Sequence, residues 1–404
     1  MTDMTRVPST RTLTLAIFAQ MLPATLIAPA VRPLVAAQHA GQEGVMHAFM
    51  ALNMIGAIVA APVLGTMFDR IERPRRLLAV LAVLDALLLA SLAAPLPTAV
   101  MLGLRVLEGA AHVGGATILL AEAAGLARLQ SSGRTMGAAG AAIMFAVAAG
   151  HGLGGALLKV ALVAPFVASA LVALGVALWA ARSNGLAGRQ IVSHDTLADW
   201  LRLVREQRSI LVPVSAAFLG RFTVGCVVVT FALFARNAHG VSDSAIGGLF
   251  ALLTFVFAIG MVPAGRACDR VAPSSLLVLG AGLYALTLAA VVHAPSWLLA
   301  PLMAAAGACS ALIFAPTLCF ASRLTGEETR GRSMSLVNAA GCAGMLIGPL
   351  TAGLVSSAMD VAGDPLARYR AVFYVASLSV LVWLAGFGAW LALRGRRELQ
   401  PAAA

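Results

Sequence analysis

Lysine is almost missing from this chain of 404 residues: Lys159 is the only one, against a combined Lys and Arg count of 28. Charge of either sign is scarce. Asp, Glu, Lys and Arg make up 11% of the sequence, where a soluble domain carries roughly 25%. With 60% hydrophobic residues and a mean hydropathy of +0.91, a water-soluble core of this size cannot hide the apolar surface, and lipid is the natural solvent. Cysteine is sparse too. Cys226, Cys268, Cys309, Cys319 and Cys342 form no C-x-x-C and no metal-ligand spacing, so they read as small packing residues with free thiols. No G-x-x-x-x-G-K loop is present to bind ATP, and neither H-E-x-x-H nor G-x-S-x-G supports an intramembrane enzyme. No cofactor and no metal are expected. Tyrosine is limited to Tyr284, Tyr369 and Tyr374, which argues against a large aromatic stacking site. The net charge of +11 does not indicate nucleic acid, because the positive residues are spread over short segments between apolar runs.

What the chain does have is long apolar runs. A helix needs roughly 20 apolar residues to cross the hydrocarbon core. Twelve candidates occur, at about 12–36, 46–66, 76–95, 98–123, 136–158, 160–181, 209–235, 244–264, 274–294, 297–321, 333–357 and 369–393. The runs are continuous rather than alternating, so the expected class is an all-α membrane protein and not a β-barrel. The basic residues before the first run resemble a signal peptide, but that run continues to about Ala30 and reads as an uncleaved spanning helix. With the N-terminus inside, the inner segments collect nearly all the arginines, whereas the outer ones hold Lys159, Arg236, Arg368 and Arg370, with Arg32 at a helix end. Both termini are therefore expected to be cytoplasmic.

The sequence repeats. Gly65-Thr66-Met67-Phe68-Asp69-Arg70 returns as Gly265-Arg266-Ala267-Cys268-Asp269-Arg270, each copy between two apolar runs. In register with these, Gly133-Arg134-Thr135-Met136 matches Gly331-Arg332-Ser333-Met334, and Gly150-His151 matches Gly348-Pro349. Internal repeats of this kind build many secondary transporters. The expected organisation is a six-helix bundle over 1–181, a cytoplasmic linker over 182–208 and a second six-helix bundle over 209–404. Within the linker, Asp199 to Arg205 carries apolar residues at helical spacing and reads as a short surface helix.

These motifs resemble those of the major facilitator superfamily over nearly the whole chain. Gly65, Asp69 and Arg70, with Arg73 to Arg76, resemble its loop 2–3 signature, although Glu72 replaces the usual glycine and Pro74 interrupts the basic run. Arg105-Val106-Leu107-Glu108-Gly109 resembles the fourth-helix R-x-x-(Q/E)-G signature. Gly150-His151-Gly152-Leu153-Gly154-Gly155 resembles the fifth-helix antiporter signature G-P-x-x-G-G, with His151 in place of proline. Together they are closest to twelve-helix drug:proton antiporters. The resemblance implies two six-helix halves rocking about a central cavity lined by helices one, four, seven and ten.

Candidate residues follow. Asp69 and Asp269 are carboxylates at helix ends on the basic side, where the start of another helix offers free N–H groups. The overlay directs Asp69 to the eleventh helix near Ser333 and Asp269 to the fifth near Thr135, so Gly65, Asp69, Arg70, Arg73, Gly265, Asp269 and Arg270 form an expected cytoplasmic gate; a solvated loop ion pair is the alternative. The arginine cluster makes the first copy the stronger expected clasp. Arg105, Glu108 and His112 sit at i, i+3 and i+7 on one face of the fourth helix. A charge at that depth needs a partner or a water-filled cavity, so the face is expected to point to the cavity, with Glu108 as the protonatable group and His112 as a relay; a static pair is the alternative. Arg221 is the deep charge of the seventh helix, read as binding an anionic group or packing on a carbonyl. Gln20, Asn53 and Asn338 are further cavity candidates. Asp85, in the third helix, is read as structural, and His151 as a cavity polar residue or a satisfied core histidine. Gly150, His151, Gly154, Gly155, Gly348 and Pro349 are read as a helix-packing motif; the G-x-G-x-x-G pattern lacks the strand that dinucleotide binding needs. Pro23, Pro29 and Pro316 are expected to kink their helices.

The expected function is proton-coupled efflux of a small organic molecule by alternating access, in a multi-pass cell membrane protein of the bacterial inner-membrane type. Uptake or facilitated diffusion of a metabolite, or sensing without transport, are the alternatives. The expected partners are the substrate, protons and the lipid bilayer, and the expected state is a monomer.

Overall fold

The computed structural model describes residues 9–38, 43–71, 73–183, 204–205, 207–324, 326, 329–359, 364 and 366–394. Among these there are thirteen α-helices and no strand. They are α1 (Thr10–Leu26), α2 (Ala28–Gln38), α3 (Glu43–Arg70), α4 (Pro74–Leu92), α5 (Thr98–Leu129), α6 (Ser132–Leu158) and α7 (Ala164–Arg182), then α8 (Leu211–His239), α9 (Asp243–Cys268), α10 (Pro273–Val291), α11 (Leu299–Leu324), α12 (Arg330–Ala358) and α13 (Ala367–Arg394).

These make twelve membrane spans, because α1 and α2 together form the first. The break falls at Ile27, between Pro23 and Pro29; Pro29 has no N–H to donate to the preceding turn. Pro316 lies inside an uninterrupted α11. Ten segments are long and apolar enough to cross a bilayer by length and composition alone. The other two are α3 and α4, the latter holding Arg75, Arg76 and Asp85 within 19 residues. Large side chains such as Val59, Leu171, Leu286 and Leu354 are more than half exposed in mid-helix, a liability in water and the normal state against lipid.

Local signals set the helix ends. Ser9 and Ser242 cap α1 and α9 by accepting from Thr12 N–H and Ala245 N–H. Pro74 and Pro273 open α4 and α10, where a missing N–H costs nothing. Gly240 ends α8 with φ 64°, in the left-handed region.

The chain separates into two compact units. The first holds residues 1–130, 142–206 and 325–339; the second holds 131–141, 207–324 and 340–404. Each therefore includes one helix end from the opposite half of the sequence: the start of α12 in the first, and the start of α6 in the second. In the first unit, Ile27, Leu34, Phe49, Leu89, Leu92, Met101 and Phe166 form a core cluster. There α3 and α5 approach so closely that a Cβ on Gly56 would collide with the Val106 carbonyl, and one on Gly109 with the Asn53 carbonyl. In the second, Phe231, Phe234, Phe373, Tyr284, Cys226 and Met303 form the core. The linker expected to carry a surface helix at 199–205 lies almost wholly outside the described residues.

Candidate functional site

Four ionisable side chains meet inside the first unit. Asp85 (α4) and Arg105, Glu108 and His112 (α5) are 1%, 4%, 0% and 2% exposed. Arg105 donates from NH1 to Glu108 Oε2 at 2.5 Å, and Asn53 of α3 donates from Nδ2 to the same oxygen at 2.6 Å. The Arg105 Nε donates to the Phe49 carbonyl at 3.2 Å, and its guanidinium lies 4.8 Å from the Phe49 ring centre. His112 Nδ1 lies 2.9 Å from Asp85 Oδ2. Gln20 of α1 donates to the His112 carbonyl at 3.1 Å. The second oxygens of Asp85 and Glu108 and the Nε2 of His112 are buried without a protein hydrogen-bond partner among the described residues.

The charged face of α5, expected to line a cavity, is buried, and its side-chain partners come from α3 and α4. Asp85, read from the sequence as structural, supplies the partner for His112. Gln20 and Asn53, also expected on a cavity wall, are buried at 2% and 3% exposure and tie α1 and α3 to α5. Asp85, Glu108 and His112 put one ligand-type atom each within 4.8 Å of one another. That spacing alone would suit a metal ion. Arg105 already occupies Glu108, however, and a divalent ion there would face a guanidinium, so we read the group as a closed set of ion pairs rather than as ligands.

A second buried pair lies further along α5. Arg75, from the basic run at the start of α4, donates from Nε to both Glu122 oxygens at 3.2 Å and from NH2 to Oε2 at 2.9 Å. Arg75 is 3% and Glu122 0% exposed, and the guanidinium lies 4.5 Å from the Trp179 ring centre in α7. Sequence reading placed Arg75 in a loop and passed over Glu122, although an acid near the end of an apolar run was a signal.

In the second unit, Asp269 meets the start of α6. Its carboxylate accepts from Gly133 N–H at 2.7 Å, from Arg134 N–H at 3.1 Å and from the Ser131 hydroxyl, as an anion at a helix N-terminus should. Arg323 of α11 buttresses the contact: Nε donates to Ser132 Oγ at 2.8 Å, NH2 donates to the Cys268 carbonyl at 2.6 Å, and NH2 lies 3.9 Å from Asp269. Gly265 sits where α9 crosses α6, and a Cβ there would collide with the Gly133 carbonyl. In the first unit the related crossing joins Ser335 Oγ to the Ala61 carbonyl at 2.6 Å. Gly65 is buried in α3 and Arg73 and Arg270 are exposed; the side chains of Asp69 and Arg70 lie outside the described ones.

The remaining candidates are dispersed. Arg221 is half-buried in the second unit, 5.9 Å from the Phe314 ring centre. Asn338 donates to Thr117 Oγ1 at 3.0 Å. His151 is exposed, its Nδ1 2.7 Å from the Val147 carbonyl of its own helix, and so is not a core histidine. Gly150 and Gly154 lie against Thr25 and Leu26 of α1, leaving no room for a Cβ, whereas Gly155 has open space. Gly348 meets the Phe222 carbonyl of α8, and Pro349 lies against Gly225.

Residues 13–212 and 213–404 each match the family model described as Major Facilitator Superfamily. The fold is similar to that of the proton:xylose symporter XylE bound to 6-bromo-6-deoxy-D-glucose, at 15% identity and TM-score 0.72, over 94% of each chain. It is also similar to the human organic anion transporter MFSD10 (TETRAN), at 17% identity and TM-score 0.75, over 93% of this chain and 98% of that one. A bacterial homologue of the iron transporter ferroportin, in an outward-facing state, matches at 14% identity and TM-score 0.73, over 95% and 99%. At these identities the likeness is one of fold. No curated protein matches the sequence.

Proposed function

The chain belongs to the major facilitator superfamily, and on that premise we propose that it exports a small organic molecule in exchange for protons, by alternating access. The observation that carries this reading is the buried group of Asp85, Arg105, Glu108 and His112. Ionised side chains inside a membrane span cost several kcal/mol unless paired, and are characteristic of proton pathways. A twelve-span fold held together by apolar packing does not need them. The sequence has no nucleotide-binding loop, so an ion gradient is the natural drive. Export rather than uptake is read from the likeness of Gly150 to Gly155 to the fifth-span antiporter signature, in which Gly150 and Gly154 lie close against α1.

The working halves are taken as 1–181 and 209–404, joined by the linker 182–208, with both termini cytoplasmic. In this reading Asp269 at the start of α6 is a latch that must release once per cycle, and Asp69 is its counterpart toward α12.

The test is transport by purified protein in liposomes, with a panel of small cationic, neutral and anionic organic compounds and a proton gradient of either sign. Exchange predicts that at least one compound moves against the direction of proton flow and stops when the gradient is collapsed. Movement in the same direction as protons would replace export with uptake. Flux indifferent to both gradients would remove proton coupling.

A further inference from the structure

We propose that the proton handled by this protein sits on the Asp85–His112 pair, joining the third and fourth spans, and that Glu108 is the fixed countercharge of Arg105 rather than the proton carrier. The inference rests on the proton-coupled reading above for its role in transport, but not for its chemistry.

Glu108 Oε2 accepts from a guanidinium and from an amide, at 2.5 and 2.6 Å. Both bonds are strongest when the carboxylate is ionised, since charge-assisted bonds are roughly twice as strong as neutral ones. Its other oxygen has no protein partner, so a proton placed there would have no acceptor. His112 also keeps one ring nitrogen, Nε2, without a protein partner, but its Nδ1 faces a carboxylate oxygen, Asp85 Oδ2, at 2.9 Å, so its charged form is bonded directly to an opposite charge.

Charge counting points the same way. The ionisable groups around His112 are Asp85 from α4 and Arg105 and Glu108 from α5; α1 and α3 bring the uncharged amides of Gln20 and Asn53. Arg105 and Glu108 cancel. Asp85 is then balanced only if its pair with His112 carries one further proton, and on the ring that proton makes an imidazolium against a carboxylate. Beside an ionised Asp85 a neutral imidazole would leave one uncompensated negative charge in a fully buried site, and a protonated Asp85 would give up its charge-assisted bond to the ring. Placing the proton on Glu108 also gives a neutral total, but it breaks the Arg105–Glu108 pair and leaves Arg105 and Asp85 as separated charges. The imidazolium gives two adjacent ion pairs instead. The cluster therefore holds a single exchangeable proton on His112, bonded to Asp85. It can leave only when water or another cation reaches the site to restore the balance.

The experiment is nitrogen-15 NMR of histidine-labelled full-length protein in lipid at pH about 7.5, where a solvent histidine is mostly neutral. The signal is assigned by its loss in His112→Gln. The expected result is an imidazolium in the wild type that becomes a neutral imidazole in Asp85→Asn, because Arg105 and Glu108 then already cancel. Infrared spectra of the wild type should show no buried protonated carboxylic acid that disappears in Glu108→Gln. A neutral His112 together with such an acid band would overturn the proposal and return the proton to Glu108. Should His112→Gln fail to fold, its signal is assigned as the one of seven histidine signals that survives replacement of each of the other six. Proton-driven flux in liposomes is read separately: an imidazolium in a protein indifferent to the proton gradient would defeat the coupled-transport reading and leave the assignment of the proton intact.

Discussion

The two units share an architecture and bury different chemistry. In the first, Arg75, Asp85, Arg105, Glu108, His112 and Glu122 are all below 5% exposure. In the second, no ionised side chain among the described residues is buried to that degree, and the buried polar groups are hydroxyls such as Thr223, Thr230, Thr287, Thr317 and Ser377. Several of these donate to a carbonyl one turn back in their own helix, as Thr230 does to Cys226 and Thr287 to Leu283. A hydroxyl satisfied in this way needs nothing from a neighbouring helix. A buried charge does need a partner, and that partner must come from a particular place. The fold is thus compatible with an uncharged interior, and the charges of the first unit call for an explanation in function or in specificity.

The largest contrast should come from the ion pair. Replacing Glu122 by Gln leaves Arg75 buried and unpaired, a loss of about 3–5 kcal/mol for a broken buried pair, read by denaturation in detergent. The double change Arg75→Met with Glu122→Leu should recover most of that loss. Equal costs for the single and double variants would show that the pair is not a mutual requirement.

A smaller and more discriminating effect comes from matched glycines. Gly109→Ala in the first unit and Gly348→Ala in the second each push a methyl into a facing carbonyl, at about 1–3 kcal/mol for overpacking. Their stability losses should be similar, but only Gly109→Ala should alter the response of flux to a proton gradient, because it separates α3 from α5 and Asn53 from Glu108. A change of equal size in both variants would erase the distinction between the units.

Smaller again is Asp269→Ala, which removes the cap of α6 at about 1 kcal/mol and should slow transport by more than that loss of stability explains. Thr287→Val in the second unit should cost about 1 kcal/mol or less, the net worth of one hydrogen bond, with no change in gradient response.

The twelve spans and the family were legible because both are written locally, in run length and in short motifs. The contact of Asp269 with the start of α6 could be anticipated for a different reason: the repeat of Gly-x-x-x-Asp-Arg came with a register, and register carries one half of the chain onto the other. Helical spacing placed Arg105, Glu108 and His112 on one face but could not say what that face meets. Resemblance supplied an open cavity; the structure supplies Asn53 and Asp85. Asp85 lies 27 residues before His112 and Arg75 lies 47 before Glu122, and no short-range pattern links positions so far apart. The exposure of His151 was hidden for the same reason, since its helix is apolar all round and gives no sign of which side is covered.

The decisive measurement is gradient-driven flux through wild type and Glu108→Gln in liposomes, with folding of the variant verified by its elution as a single species. Without Glu108, Arg105 balances Asp85 and His112 has no reason to hold a proton. The account predicts a wild-type flux that follows the imposed proton gradient and a variant flux that ignores it. An undiminished gradient response in Glu108→Gln would contradict it and place the coupling outside this cluster.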